Sequence, residues 1–249
     1  MSVALRSGFV TFVGRPNVGK STLLNHIIGT KVSIVSDKVQ TTRSAVRGVL
    51  NRADAQVVFV DTPGIHTPRG PLGRTLHETA TASISGVDVV CLVLDASAPV
   101  GGGDRFVAGQ VPPDAVVVLN KIDRASRAQV LKQLQSAGEF ELSEYFPVSA
   151  LTGEGVDALV DRLVQRLPEG PAYYPPDAVT DVPEAIWVAE LVREQLLAVL
   201  RHELPHALAT RVTEWEWPRI RCEILVHRDS QKGIVIGKGG GVLKAVGTA

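Results

Sequence analysis

Residues Gly14-Arg15-Pro16-Asn17-Val18-Gly19-Lys20-Ser21 fit the pattern GxxxxGK[ST] without substitution, and a phosphate site is the chemistry such spacing serves. A triphosphate needs several donors converging on a small volume. Glycines at both ends let the backbone curl until its N–H groups point inward. Lys20 can then reach the β- and γ-phosphates, and the Ser21 hydroxyl can ligate Mg²⁺. A helix opening at Ser21 and Thr22 would aim its positive end at the anion. The flanks agree: Phe9 to Val13 is an apolar, β-rich run, and Ser21 to Ile28 has a helix pattern stopped by Gly29.

Three further clusters follow at strand ends. Gln56 to Val60 runs into Asp61-Thr62-Pro63-Gly64, Ala115 to Leu119 into Asn120-Lys121-Ile122-Asp123, and Tyr145 to Val148 into Ser149-Ala150-Leu151. Open α/β sheets bind ligands at the carboxyl ends of their strands. There Asp61 can hold Mg²⁺ through water. Asp123 can accept from guanine N1–H and the N2 amino group, which adenine lacks. Asn120 and Lys121 would brace the loop and the base edge, with the Ala150 N–H donating to guanine O6. The hydrogen-bond signs imply GTP and disfavour ATP.

The elements that must position these groups form a repeating strand-helix pattern. Ser44 to Leu50 and Gln56 to Val60 are β-branched runs split by a polar gap, the spacing of an antiparallel hairpin. Val87 to Leu94 and Ala115 to Leu119 are continuous apolar strands of the kind buried on both faces. The expected fold is α/β, a P-loop doubly wound mixed sheet, closed by an amphipathic helix from Gly155 to Leu167. Lys31 to Thr42, holding Gln40-Thr41-Thr42-Arg43, is expected to be a loop, and Pro68 to Pro71 a mobile breaker segment.

Prolines at 168, 171, 175, 176 and 183 predict a semi-rigid linker over 168–183. Beyond it, Glu184 to Leu204 is helical, Ala209 to Trp217 and Arg219 to Val226 pair by a turn at Pro218, and Gly233 to Val246 is a glycine-broken helical segment. The whole chain of 249 residues balances 26 basic against 26 acidic side chains, so any nucleic-acid surface must be local. It is: 184–218 carries three basic and six acidic residues, 219–249 six basic and two acidic. Cys91 and Cys222 sit in apolar runs and are expected to be buried, reduced thiols. The chain has neither a signal-like apolar stretch at its start nor a run long enough to span a bilayer, which argues for a cytoplasmic protein.

Taken together, these motifs resemble the Era GTPases of bacteria, which join a Ras-like G domain to a small α+β KH-type RNA-binding domain. The resemblance rests on 14–21, 40–43, 61–64, 120–123, 149–151, the linker residues Tyr173-Tyr174-Pro175, and Ser230 to Gly240. It implies a G domain over 1–167 and a KH domain over 184–249, with GTP hydrolysed to GDP and phosphate. It implies binding to small-subunit ribosomal RNA, a role in small ribosomal subunit assembly, and peripheral association with the inner face of the cell membrane. Thr42 falls where the family places a switch threonine on Mg²⁺, and Gly64 where a backbone N–H meets the γ-phosphate. Ile65 stands where Ras-like enzymes carry a water-positioning glutamine. The resemblance therefore implies a water set by backbone and ordered solvent, with Asn17 helping to hold K⁺ in place of an arginine finger; a loop-bracing amide is the plainer role for Asn17.

Ile236-Gly237-Lys238-Gly239-Gly240 matches the KH GxxG loop, in which close backbone approach clamps single-stranded nucleotides. Gly239 and Gly241 add glycines that would each cost about 1 kcal/mol if helical. The family's KH domain continues through another helix and a strand after the position of Ala249, so the unit is expected to be C-terminally incomplete, leaving Ile234, Ile236, Leu243 and Val246 poorly covered. Two rival functions remain at this level: a GTP-binding docking factor that scarcely hydrolyses, and a related GTPase whose C-terminal unit binds protein.

Overall fold

The computed structural model describes residues 5–38, 41–65, 70–200 and 207–249. The chain divides into two compact units, one of residues up to Ser33 with Thr42–Asp181, the other of Ile34–Thr41 with Val182–Ala249.

The first unit is a six-stranded sheet. Strands β1 (Arg6–Val13), β2 (Val46–Asn51), β3 (Ala55–Asp61), β4 (Val89–Asp95), β5 (Val116–Asn120) and β6 (Glu144–Pro147) lie in the order β2-β3-β1-β4-β5-β6. All neighbours are parallel except β2 and β3, the expected hairpin, in which Val46 pairs with Asp61 and Asn51 with Gln56. Between the strands run α1 (Lys20–Ile28), α2 (Gly70–Ala82), α3 (Gly102–Ala108), α4 (Arg127–Gly138) and α5 (Val156–Arg166).

The apolar strands explain the layering. Along β4, Val89, Cys91 and Val93 join one core with Leu23 and Leu24 of α1 and Leu159 and Leu163 of α5. The alternating Val90, Leu92 and Leu94 join a second core with Ala80 of α2, Val107 of α3 and Ala137 of α4. A strand covered on both faces has no reason to alternate polar with apolar, and this one does not. Leu159 and Leu163 are fully buried, each worth about 1.5–3 kcal/mol over an exposed position. Because five strands run the same way, the segments after β1, β3, β4, β5 and β6 emerge at one edge.

The proline-rich stretch is fastened to this unit. Ser7 N–H donates to the Pro168 carbonyl (3.0 Å), Gln56 Nε2 to the Tyr174 carbonyl (2.9 Å), Val49 N–H to the Val179 carbonyl (2.9 Å), and Arg47 pairs with Asp181 at 2.8 Å. Cys91 is buried as expected, and burial pushes its thiol up. Cys222 departs from expectation by being only half-buried; both thiols are free.

In the second unit α6 (Glu184–Val199) packs on an antiparallel pair, β7 (Leu208–Glu216) and β8 (Arg219–Val226), turning at Trp217-Pro218 as the sequence predicts. α7 (Lys232–Ile236) and α8 (Gly241–Thr248) complete it around Leu196, Leu200, Leu208, Val235 and Val246. Ile234, Ile236 and Leu243 are exposed, whereas Val246, expected to be uncovered with them, is buried. Ile34–Thr41 belongs here: Val35 N–H donates to Glu194 Oε1 at 2.8 Å, and the buried Arg193 donates to the Thr41 carbonyl while chelating Glu190. The far end of the expected helix to Leu204, residue Gln40 and the core of the Pro68 to Pro71 segment lie outside the described residues. Among the described residues, no helix is long and apolar enough to cross a membrane.

Candidate nucleotide site and glycine loop

At the shared sheet edge, the loop after β1 brings Lys20 to the N-terminus of α1. Its ammonium donates to the Gly14 (3.2 Å) and Arg15 (3.1 Å) carbonyls and is almost wholly buried. Burial holds the Lys20 pKa down at about 8, partly offset by the nearby Asp61 carboxylate. Asp61, at the end of β3, is fully buried too. Burial pushes its carboxyl up, against the opposing pull of Lys20 and hydrogen bonds from Ser21, Ser33 and Thr42. Each member of this pair is desolvated by burial, a cost that an arriving anion and cation would offset.

Ser21 Oγ donates to Asp61 Oδ2 at 2.6 Å, Ser33 Oγ does so at 2.9 Å, and Thr42 Oγ1 lies 3.2 Å from Ser21 Oγ and 3.4 Å from Asp61 Oδ2. Asp61 Oδ1 is buried without a hydrogen-bond partner among the described residues. Three oxygen-bearing side chains around an orphaned carboxylate oxygen fit a hard divalent cation such as Mg²⁺. The structure thus brings Ser21, Thr42 and Asp61 together.

The segment after β3 is pressed against the phosphate loop. Thr62 Oγ1 donates to the Phe12 carbonyl (2.8 Å), and Ile65 N–H to the Gly14 carbonyl (3.0 Å). Beyond Pro63, Gly64 sits so close that a Cβ there would lie 2.6 Å from Pro16 N, which excludes any side chain without backbone movement. The Ile65 side chain is completely buried in the core with Val13 and Leu92.

Asn120 ties three loops into one site. Its Nδ2 donates to the Val18 carbonyl (2.9 Å) and its Oδ1 accepts from Ala150 N–H (2.9 Å). The expectation that Ala150 N–H serves guanine O6 is therefore amended: that donor is already engaged by Asn120. Lys121 Nζ bridges the Asn17 carbonyl (2.6 Å) and Asp95 (2.5 Å). Burial pushes the Asp95 carboxyl up, but hydrogen bonds from Lys121 and Ser97 outweigh it and hold it below the ordinary range. Ser149 Oγ donates to Asp123 Oδ1 at 2.6 Å. Leu151 is exposed. Asn17 has φ 64°, a left-handed conformation that asparagine tolerates better than most residues.

Neither Ser33 nor Asp95 is singled out as a site residue by the sequence. A strand-end aspartate at Asp95, matching Asp61, was the signal available; Ser33 had none.

In the second unit Gly237 to Gly240 lies between α7 and α8, with Lys238 exposed and Gly240 N–H donating to the Gly237 carbonyl (3.1 Å). Gly239 has φ 61°, outside the helical region, so glycine is favoured there and the expected helix penalty does not apply; Gly241, at φ −60°, is the helical one.

A family model described as 50S ribosome-binding GTPase matches residues 9–121, and a KH domain model matches 203–249. A "GTPase Era" of Mycobacterium sp. (strain KMS) is 47% identical, covering 98% of this chain and 86% of its own. One of Clostridium botulinum (strain Eklund 17B / Type B) is 45% identical over 97% of this chain and 85% of its own. Two solved structures superpose over 98% of this chain and 86% of theirs at 38% identity. They are Aquifex aeolicus Era bound to GDP.AlF4⁻, with TM-score 0.92, and Era in complex with MgGDPNP and nucleotides 1506–1542 of 16S ribosomal RNA, with TM-score 0.93.

Proposed function

The chain belongs to the Era family of GTPases, and from that premise we propose that it is a GTP-hydrolysing switch whose C-terminal unit binds small-subunit ribosomal RNA and assists small ribosomal subunit assembly. The observation that carries the reading is the convergence of Ser21 and Thr42 on Asp61, one of whose oxygens is buried without a partner among the described residues, beside a lysine desolvated by burial.

The roles follow from this geometry. Lys20 gives up its two carbonyl partners to the β- and γ-phosphates, and the amides of Gly14 to Thr22 surround them. Ser21, Thr42 and Asp61 would hold Mg²⁺, which would supply positive charge to the phosphate oxygens. Gly64 N–H donates to the γ-phosphate, its neighbours Thr62 and Pro63 fixing the turn. A water then displaces GDP from the γ-phosphorus, giving phosphate. With Ile65 in the core, backbone groups and ordered solvent align that water, and Asn17 would help to hold K⁺, which would supply positive charge in place of an arginine finger. Asp123, oriented by Ser149, reads guanine N1–H and the 2-amino group. Lys121 covers the base, Asn120 locks the loops, and Ile122 and Leu151 shape the base edge. Ala150 N–H reaches O6 only by sharing with Asn120.

Gly237, Lys238, Gly239 and Gly240 clamp the RNA backbone, in a stretch where basic residues outnumber acidic ones. We divide the chain into a G domain over 1–167, a proline-rich linker over 168–183 and a KH-type domain over 184–249. The family likeness supports a cytoplasmic place and peripheral contact with the inner face of the cell membrane.

The test is turnover of GTP with Mg²⁺ and K⁺, with and without a 16S ribosomal RNA fragment. Phosphate release together with RNA binding is expected; nucleotide binding without release would leave the docking factor, and release without RNA affinity the protein-binding relative.

A further inference from the structure

Arg15 is the second residue of the phosphate loop, yet its side chain leaves the loop for α3. Its Nε donates to Asp104 Oδ1 at 2.7 Å, across 89 residues of sequence. Asp104 is 1% exposed, and its other oxygen accepts Gly101 N–H at 2.9 Å, closing the first turn of α3. Both carboxylate oxygens are thus committed, one to the helix and one to the loop. An ion pair with one member fully buried is costly to break, because the carboxylate would be left without compensation.

What the pair holds in place is specific. Arg15 lies between Gly14, whose carbonyl accepts Ile65 N–H, and Pro16, whose nitrogen is the atom nearest a Cβ built on Gly64. This short stretch is the wall against which the γ-phosphate side of the site is set. The stretch that would hold the α- and β-phosphates, from Val18 to Ser21, is anchored elsewhere, by Asn120 on the Val18 carbonyl.

We infer that Asp104, acting through Arg15, is a positioning residue for GTP hydrolysis: it sets the register between the phosphate loop and Gly64, and so turnover, while leaving diphosphate binding to the Asn120 anchor. The inference rests on the GTPase reading. Misplacement of a reacting group by about 1 Å costs on the order of a hundredfold in rate, so a tenfold to hundredfold fall is the scale to expect.

Asp104→Asn keeps an oxygen for Gly101 N–H and removes the charge. Single-turnover hydrolysis, GDP affinity and the thermal midpoint are measured for the parent, Asp104→Asn, Arg15→Gln and the double variant. We expect the rate to fall about tenfold or more in each single variant with GDP affinity within about threefold of the parent, and the double variant to be no slower than Arg15→Gln. An unchanged rate, a parallel loss of GDP affinity, or losses that multiply in the double variant would overturn the inference. Should Asp104→Asn fail to fold, Arg15→Gln carries the same split, since the Arg15 side chain is 35% exposed. A parent protein that does not hydrolyse GTP would instead sink the functional reading, so the two failures are told apart.

Discussion

The phosphate loop and the glycine loop of the C-terminal unit, the two places where we propose that phosphates are met, are built in opposite ways. Around the first, Lys20, Asp61, Thr62 and Asn120 are buried and hydrogen-bonded to each other's loops. Around the second, Lys238 and Gly239 are exposed, Gly237 and Gly240 are half-buried, and the turn is set by positive φ at Gly237, Gly239 and Gly240. A buried, prewired site pays in strained protonation states and gains discrimination between ligands that differ by one group. An exposed loop strains nothing and gains mostly screened, sequence-blind attraction.

If that contrast is right, the largest effect should come from the base-reading carboxylate. Asp123→Asn is expected to weaken GTP about a thousandfold and to favour xanthosine triphosphate, because an amide can donate to the carbonyl that xanthine carries at C2. Competition binding checks it, and retained guanine preference would mean that Asp123 does not read the base.

A smaller effect separates backbone from side chain at Asn17. Hydrolysis should be about tenfold faster in K⁺ than in Na⁺, and Asn17→Gly, which keeps φ positive, should abolish the difference. Equal parent rates in the two salts would remove the cation from the mechanism.

Lys20 gives the buried site a pH signature. Its pKa without nucleotide is held at about 8 by burial, and phosphates favour the protonated form. Below pH 8 binding should be flat; above it, affinity should fall up to about tenfold per pH unit. The stability term has the opposite sign. Between about 8 and the ordinary lysine value of 10.5 the unfolded chain holds the extra proton, so this group makes the nucleotide-free fold more stable as pH rises. Nucleotide titrations and thermal melts at pH 7, 8 and 9 read both slopes; affinity independent of pH would contradict the burial.

The smallest effect belongs to the exposed loop. Lys238→Asp should weaken single-stranded ribosomal RNA only severalfold and lower the salt slope by about one, uniformly across sequences. A sequence-selective loss would show that Lys238 reads bases, and the contrast between the loops would narrow.

Much of the nucleotide site was legible because loops that recur at the ends of parallel strands leave both a residue pattern and a place for it. The doubly wound sheet was legible from β4 and β5, whose continuous apolar runs suit strands covered on both faces. What stayed hidden were partners chosen by packing. Asp104 sits in a seven-residue helix whose sequence, Gly-Gly-Asp-Arg-Phe-Val-Ala, carries little helical signal, and nothing local says that it binds Arg15. Arg193 and Glu194 look like ordinary surface charges of a helix, yet both are buried. The glycine at 239 was charged a helix penalty that its left-handed φ removes, since spacing cannot show where a helix breaks.

The grouping of Ile34–Thr41 with the C-terminal unit bears on the order in which the protein is made. The two side chains of α6 that bond this segment, Arg193 and Glu194, are translated roughly 150 residues after it, which at about 5–20 residues per second is on the order of ten seconds. By the last part of that interval Lys20, Asp61, Asp123 and Ser149 have all been synthesised, while the segment just ahead of Thr42 still lacks both of those bonds. The growing chain therefore has its base-reading and phosphate-binding residues before it has the side chains that hold the approach to its switch threonine.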